Sequence, residues 1–397
     1  MDHLIKTIKQ KAHMHFENVV AHRRHLHMHP ELSFKEEKTA AYIQNQLTQL
    51  AIPFKTNIGG HGVVALIEGK NASVKTVALR ADMDALPITE INEVSYKSKN
   101  NGVMHACGHD AHTASLLGVA AILNEMKNEF DGTVKLIFQP AEEKLPGGAS
   151  LMIADGVLKN PAPASIIGQH VMPMIEVGKV GFRSGIYMAS TDELYMTIKG
   201  KGGHGAMPHL NVDPVLIMAH ILIALQQIVS RNANPTMPSV LSFGKVSAPG
   251  ATNVIPDEVK LEGTFRTLDE NWRTEAHKRM VHMASTLAAS MGGSCELKIV
   301  RGYPALINEP QLTARMRQFA VAYLGSDNVV DLDIWMAAED FAYYSQVAHA
   351  CFYRLGTRNT MRGITSSVHT PTFDIDETAL QIGAGLMAYS ALRELAS

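Results

Sequence analysis

Three short apolar runs, each ending at acidic or imidazole side chains, constrain the fold of this chain more than any other feature. Residues 76–80, 133–138 and 165–171 are rich in β-branched and other apolar side chains, which predicts buried strands. The polar side chains at or just beyond their carboxyl ends are Asp84, Glu142, Glu143 and His170. Open α/β folds build their sites at the carboxyl ends of strands. The pattern therefore predicts an α/β sheet with one functional edge.

The sequence MHACGHDAH, at residues 104–112, places Cys107 and His109 two positions apart. Thiolate and imidazole are ligands of transition-metal ions. A Cys-x-His triplet also arises by chance, and alone it is more often a pair of structural core residues. Because the strand-end acids would converge on the same edge, the combination predicts a metal site. His105 and His112 are expected to support the ligands or to be structural.

The pattern of elements changes after about residue 187. Alternating strands are predicted at 193–200, 239–248, 258–266 and 295–300, with helices at 213–232 and 269–291. The order β-α-β-β-α-β is that of a split-βαβ, ferredoxin-like unit. We therefore expect a discontinuous metal-binding catalytic domain, residues 1–186 and 301–397, interrupted by a second domain at 187–300.

Several helix ends are marked by local signals. Asp213 before Pro214 predicts a helix start, and Pro310 with Gly325 brackets another helix. Ser33 with Glu36 predicts a capping box for a helix that runs to about residue 50. One amphipathic helix is predicted over residues 3–28, and the four histidines between residues 22 and 29 are expected to form a surface patch at its end.

Composition narrows the classes of partner. Charged residues make up 19% of the chain and the formal net charge is -2, so electrostatics do not favour nucleic acid or an anionic membrane. The three cysteines are odd in number and widely spaced, which favours a reducing compartment over a disulfide framework. No N-terminal apolar run and no run of 18 apolar residues is evident. We expect a soluble cytoplasmic protein with a small neutral or anionic ligand.

Seven motifs carry a resemblance to a known family. They are ADMDALP, MHACGHDAHTASLLG, FQPAEE, GGHGAMPH, ATNVIPDEVKLEGTFR, AAEDFAYY and VHTPTFDIDE. In this order and spacing they resemble the M20 metallopeptidase family, and most closely its amidohydrolase branch of hippurate hydrolases, aminoacylases, auxin-amino acid hydrolases and N-acetyl-diaminopimelate deacetylases. The resemblance implies a phosphorylase/hydrolase-like mixed-sheet catalytic domain with an inserted ferredoxin-like α+β lid or dimerisation domain.

The resemblance also implies residue roles around two divalent ions, which would be Zn, Mn, Co or Ni. The implied metal ligands are Cys107, His109, Glu143, His170 and His369. Glu142 corresponds to the general base, and Asp84 to an aspartate beside the site that could orient a ligand, although a strand-end cap is an equal alternative.

In the inserted domain, the resemblance assigns His204 to oxyanion stabilisation in the partner subunit's site, so a homodimer or higher homo-oligomer is expected. Asn253 and Arg266 correspond to a clamp for the substrate carboxylate, which suits the planar fork of a guanidinium. Without the resemblance, a turn Asn and an edge-strand Arg would be the simpler interpretation.

The expected activity is hydrolysis of the amide bond of N-acyl amino acids, with a metal-activated water as the nucleophile and Glu142 as the base. A small-molecule substrate is thus the expected partner. A dipeptidase or aminopeptidase on the same metals is the first alternative. A non-catalytic metal-binding or ligand-binding protein is the second, and it is disfavoured because a pure binder needs no base beside Glu143.

Overall fold

The computed structural model describes residues 3–397, which divide into two compact units. Unit 1 contains the described residues up to 185 together with 307–334 and 340–397, and unit 2 contains 186–306 and 335–339. The interpretation of these units as a catalytic domain and an inserted lid or dimerisation domain stays a prediction.

The strands and helices are as follows. The strands are β1 (Phe54–Ile58), β2 (Gly62–Glu68), β3 (Thr76–Asp82), β4 (Thr133–Gln139), β5 (Ser165–Glu176), β6 (Val180–Phe182), β7 (Gly185–Met188), β8 (Asp192–Lys199), β9 (Gly203–His204), β10 (Ser239–Ser247), β11 (Val254–Ile255), β12 (Glu258–Thr267), β13 (Ser294–Arg301), β14 (Leu306–Asn308), β15 (Val329–Asp331) and β16 (Ala350–Arg358). The α-helices are α1 (His3–Met14), α2 (Phe16–Met28), α3 (Glu37–Gln49), α4 (His109–Glu125), α5 (Gly148–Ala154), α6 (Pro214–Leu225), α7 (Glu270–Ser290), α8 (Pro310–Leu324), α9 (Ala342–Val347) and α10 (Thr378–Leu395).

Unit 1 is built on a mixed sheet in the order β1-β2-β4-β3-β5-β16-β6-β15. Strands β3, β4 and β5 run parallel to one another, with Leu79 opposite both Leu136 and Ile167. All side chains of β3 and β4 are buried, as expected for strands covered on both faces. Strands β3 and β4 end side by side, with Asp82 opposite Gln139, so the acids that follow them share one edge. The strand expected at 165–171 is longer: β5 continues to Glu176, so His170 lies in the middle of this strand, two residues beyond the Gly168 that pairs with Arg80, and not at its carboxyl end. The predicted α/β fold with a mixed sheet is confirmed.

Helix α4 begins at this same edge. Its N-cap is Gly108, whose φ of 83° lies in the left-handed region that glycine tolerates best. A Cβ at this position would come within 2.5 Å of the Val171 side chain on β5. Glycine therefore lets the turn between Cys107 and His109 lie directly against the sheet.

Unit 2 contains an antiparallel sheet in the order β10-β12-β8-β13. With α6 after β8 and α7 after β12, this is the predicted split-βαβ arrangement. The Asp213 carboxylate caps α6 by accepting the backbone N–H groups of Val215 and Leu216, so the predicted helix start is confirmed.

Two predictions about the N-terminal helices are wrong. The expected single helix is two helices, α1 and α2, and the capping box at α3 does not form. Glu36 occupies the N-cap position of α3, but its side chain makes no capping hydrogen bond to any described residue. The hydroxyl of Ser33 donates to the Asp84 carboxylate at 2.6 Å instead. The Glu31 carboxylate takes over the capping role by accepting the backbone N–H of Thr39 at 2.8 Å.

Within residues 3–397, one helical segment, Pro214–Asn232, is long and apolar enough by length and composition to cross a membrane. Core helices of soluble proteins can have the same length and composition. Leu216 and Ile223 on this segment are 52% and 75% exposed. The cytoplasmic location stays a prediction.

Candidate metal centre

Unit 1 brings all five predicted metal ligands together. The Sγ atom of Cys107 lies 3.4 Å from Nε2 of His170 and 3.3 Å from Nε2 of His369. The same Nε2 of His369 is 3.2 Å from Oε1 of Glu143. The donors form two groups of mutually close atoms, Cys107 with His109 and His170, and Cys107 with Glu143 and His369. The thiol of Cys107 therefore belongs to both groups.

His109 carries the observation that best tests whether these residues fit a cation. Its Nδ1 contacts Asp84, at 2.9 Å from the backbone carbonyl and 3.1 Å from the carboxylate, which fixes the ring. Its Nε2 is buried and has no hydrogen-bond partner among residues 3–397, although carboxylate oxygens of Asp82, Glu142 and Glu143 lie 3.8, 4.0 and 4.0 Å away. A buried ring nitrogen facing carboxylates without a partner of its own fits a bound metal ion.

The electrostatics of the cluster point the same way. Burial would lower the pKa of His109, but the charges of Asp82 and Cys107 outweigh it and raise this pKa well above its usual value. Hydrogen bonds to Cys107 and Glu143 raise the pKa of His369 to about 10. The surroundings of these two imidazoles therefore favour positive charge, which a divalent cation supplies in place of protons, whereas burial and the charge of Arg354 lower the pKa of His170 well below its usual value.

The two adjacent glutamates lie in different surroundings. Ala141, just before them, has a φ of 53°, so the chain turns sharply at the end of β4. The Glu143 carboxylate approaches His369, and its backbone N–H donates to the Asp84 carboxylate at 3.0 Å. Oε1 of Glu142 instead accepts from the backbone N–H of Asp340 at 3.4 Å. One oxygen of each glutamate also lies 4.0 Å from Nε2 of His109, so both carboxylates reach the donor cluster, and their roles as base and ligand stay predictions.

A buried network behind the site was missed by the sequence analysis. Arg80, which is fully buried, donates to Gln139 at 2.9 Å and to Asp340 at 2.7 Å, and it also pairs with Asp82. His112 accepts the N–H of Val171 at its Nε2, so its Nδ1 donates to Asp82 at 2.5 Å. Asp82 lies inside the motif ADMDALP and Arg80 immediately precedes it, but only the fold shows that Asp340, 260 residues beyond Arg80 in the chain, completes the network.

A second buried network lies beneath the metal-binding turn. Arg23 and His27 on α2 both contact the Asp110 carboxylate, at 2.9 and 2.7 Å. Burial would raise the pKa of Asp110, but the charges of Arg23 and His27 outweigh it and hold this pKa far below the usual range. The histidine patch predicted for the surface is therefore wrong for His27, which is buried. Arg23 and His27 are four residues apart and so lie on one face of the helix, and this spacing was the sequence signal that both could contact the same partner.

The three predicted residues of unit 2 lie on its sheet and loops. His204 in β9 pairs with Val254 in β11 and is exposed, with Nδ1 accepting the N–H of Ala206 at 3.0 Å. The carbonyl of Asn253 accepts the N–H of Gly205 at 2.8 Å, so the two loops are adjacent. Arg266 in β12 is half-buried and donates to the carbonyl of Met336 at 3.2 Å. Their roles toward a substrate stay predictions.

A mixed α/β sheet whose strand ends gather thiol, imidazole and carboxylate donors defines a class of protein, the metal-dependent α/β hydrolases. Comparison with known proteins gives the family. The model of peptidase family M20/M25/M40 matches residues 78–393. The chain belongs to this family, and within it to the amidohydrolase branch.

Individual relatives cover almost the whole chain. N-acetyl-L-cysteine deacetylase of Bacillus subtilis is 40% identical over 94% of this chain and 87% of its own length. Thermostable carboxypeptidase 2 of Saccharolobus solfataricus is 38% identical over 94% of this chain and 95% of its own length. The crystal structure of Bacillus subtilis YXEP, described as a dinuclear metal-binding peptidase of the M20 family, matches with a TM-score of 0.82 and 35% identity over 96% of this chain and 98% of that chain. The chain is a hydrolase that depends on divalent metal.

Proposed function

We propose that this protein hydrolyses the amide bond of N-acyl amino acids, releasing a carboxylic acid and a free amino acid. One observation carries the proposal. Two groups of metal donors share Cys107, and the carboxylate of Glu142 lies beside them, with Oε2 at 4.0 Å from Nε2 of His109 and Oε1 accepting the backbone N–H of Asp340. This places a carboxylate that can serve as a base next to the residues that would hold the ions. The similarity to an N-acetyl-L-cysteine deacetylase supports an N-acyl amino acid as the substrate.

Five side chains would hold two divalent ions, drawn from Zn, Mn, Co or Ni. They are Cys107, His109, Glu143, His170 and His369. When bound, such a pair of ions lowers the pKa of a water molecule and polarises the amide carbonyl. Asp84 would act through His109, because its carboxylate and carbonyl fix the Nδ1 side of the ring and leave Nε2 for the ion.

Glu142 would move the proton. It takes a proton from the attacking water while the water oxygen bonds to the amide carbon. It then delivers this proton to the leaving nitrogen as the carbon–nitrogen bond breaks, so that an amine and a carboxylic acid leave. Because Glu142 is only 6% exposed, bulk water has little access to this proton.

Unit 2 would supply the contacts to the substrate and the surface that binds the second subunit. We assign His204 to the developing oxyanion in the partner's site, and Asn253 with Arg266 to the substrate carboxylate. The exposed apolar side chains of Leu216 and Ile223 support burial of α6 between two copies of the chain, since such groups are seldom left in water.

A substrate panel tests the proposal. Metal-stripped protein is reloaded with Mn, Zn, Co or Ni and incubated with N-acetyl, N-benzoyl and longer N-acyl amino acids and with free dipeptides. We expect metal-dependent amine release from the blocked amino acids. Cleavage of dipeptides alone would move the protein to the peptidase alternative, which the similarity to a carboxypeptidase favours. If no amine were released with any of the four metals, the result would support a non-catalytic binding protein.

A further inference from the structure

The segment that precedes α3, residues 31–36, contacts the loops after both β3 and β4. The carbonyl of Glu31 accepts the backbone N–H of Ala85 at 2.8 Å. The Ser33 hydroxyl donates to Oδ2 of Asp84 at 2.6 Å. Oε1 of Glu36 accepts the backbone N–H of Ala141 at 2.8 Å. The segment thus binds the two loops that carry the site's carboxylates.

The hydrogen bond from Ser33 to Asp84 affects the orientation of the proposed ligand His109. The Asp84 carboxylate accepts from Ser33 and from the backbone N–H of Glu143 on Oδ2, while Oδ1 contacts Nδ1 of His109. The Ser33 hydroxyl therefore helps to fix the carboxylate in the rotamer that orients the His109 ring. The same Oδ2 atom of Asp84 joins the loop after β3 to the loop after β4, because it also accepts the backbone N–H of Glu143.

The hydrogen bond between Glu36 and Ala141 affects the directions of the Glu142 and Glu143 side chains. Ala141 is fully buried and has a φ of 53°, a conformation that costs an L-residue energy and persists only where its surroundings hold it. Its N–H is held by Glu36, and its carbonyl accepts the N–H of Gly148 at 2.9 Å. This turn sets the directions in which the two glutamates leave the strand.

The side chain of Glu36 is placed where a purely structural helix cap would not need it. It makes no capping bond to α3, is 0% exposed, and reaches a residue 105 positions away. Burial, reinforced by the nearby charge of Asp84, raises the pKa of Glu36 to about 7. Placing a carboxyl group here is costly, so its retention calls for a benefit beyond helix capping.

We propose that Ser33 and Glu36 are positioning residues for the metal centre, which hold the loops after β3 and β4 in the arrangement that presents His109, Glu142 and Glu143. The inference rests on the ligand assignment under the proposed function. It assigns to residues 31–36 the task of keeping the site preorganised before any ion binds.

The test measures binding of Zn²⁺ or Mn²⁺ alone to the metal-stripped full chain by calorimetry, alongside steady-state kinetics and thermal unfolding. Glu36→Ala should weaken metal affinity and kcat about 10- to 100-fold, the usual effect of removing a group that orients ligands. KM should change little, because Glu36 is not placed to touch the substrate. Ser33→Ala should weaken metal affinity by about tenfold.

Two variants separate positioning from a general loss of stability. Glu36→Gln keeps an oxygen that can accept the Ala141 N–H, and it should restore most of the wild-type affinity. Glu37→Ala removes an exposed acid from the first turn of the same helix without touching either loop, and it should leave metal affinity unchanged.

The outcomes are distinct. Weaker metal binding in Glu36→Ala and Ser33→Ala, with rescue by Glu36→Gln, supports the proposal. A lower melting temperature with unchanged metal affinity overturns it, and so does a Glu36→Gln variant as impaired as Glu36→Ala. If Glu36→Ala does not fold, Ser33→Ala decides in the same way. Wild-type protein that binds metal but cleaves no N-acyl amino acid would refute the proposed function alone, because the metal affinities still test positioning.

Discussion

Replacing Glu142 by Gln should separate metal binding from proton transfer. The two side chains have nearly the same shape, and the Gln oxygen can still accept the backbone N–H of Asp340. Only the capacity to take a proton is lost. General acid–base groups contribute about 10²- to 10⁴-fold to rate. We therefore expect kcat to fall by that factor, which corresponds to about 3–5 kcal/mol in the activation barrier.

The matched comparison is Glu143→Gln at the adjacent position. Glu143 lies 3.2 Å from His369 and belongs to a donor group with Cys107, so loss of its charge should weaken metal affinity. The loss should exceed the roughly 10- to 100-fold seen when a group that only orients a ligand is removed. Glu142→Gln should bind metal nearly as the wild type does.

The assay measures metal affinity by calorimetry and turnover with saturating metal on the best N-acyl amino acid. Near-normal turnover of metal-loaded Glu142→Gln would refute the assignment of Glu142 as the base. If Glu142→Gln lost metal while Glu143→Gln kept it, the roles of the two glutamates would have to be exchanged.

Three further predictions address the dimer and the buried charges. Mixing inactive His204→Ala with inactive Glu142→Gln subunits should restore part of the amine release, since a mixed dimer contains one intact composite site; no recovery would mean that the histidine acts within its own subunit. Because Arg23 and His27 hold the pKa of Asp110 below its unfolded value of about 3.9, its ionised form stabilises the fold. The wild type should then exceed Asp110→Asn in free energy of unfolding above about pH 4, and acid titration below this value should shrink the difference. The Nζ of buried Lys135 donates to three backbone carbonyls, so Lys135→Met should cost roughly 3 kcal/mol in urea unfolding, while the same change at an exposed lysine should cost little.

The parts of the fold that follow from local sequence were predictable. Buried strands such as β4 are rich in apolar and β-branched residues, and the Asp213 cap of α6 is a short-range signal, so both elements lie where local patterns predicted them. The convergence of Asp84 and Glu143 also followed, because they come after adjacent parallel strands, which must end at the same edge.

The supporting contacts were not predictable, because they join residues far apart in sequence. Arg80 and Asp340 are 260 positions apart, and no periodicity links them. The spacing of Ser33 and Glu36 fits a capping box. In the structure, however, the Ser33 side chain hydrogen-bonds to Asp84 and the Glu36 side chain to the backbone N–H of Ala141. Local rules fail in this way where side chains are committed to a functional site.

The separation of the donors along the chain has a consequence for folding. Cys107 and His369 are 262 positions apart, and all of unit 2 lies between them. An ion bound by both would act as a reversible cross-link across that loop, and closing a loop of this length removes chain entropy worth about 5 kcal/mol from the unfolded state. During synthesis, this cross-link cannot form until His369 has left the ribosome, so ion capture by both residues would follow the synthesis of all of unit 2.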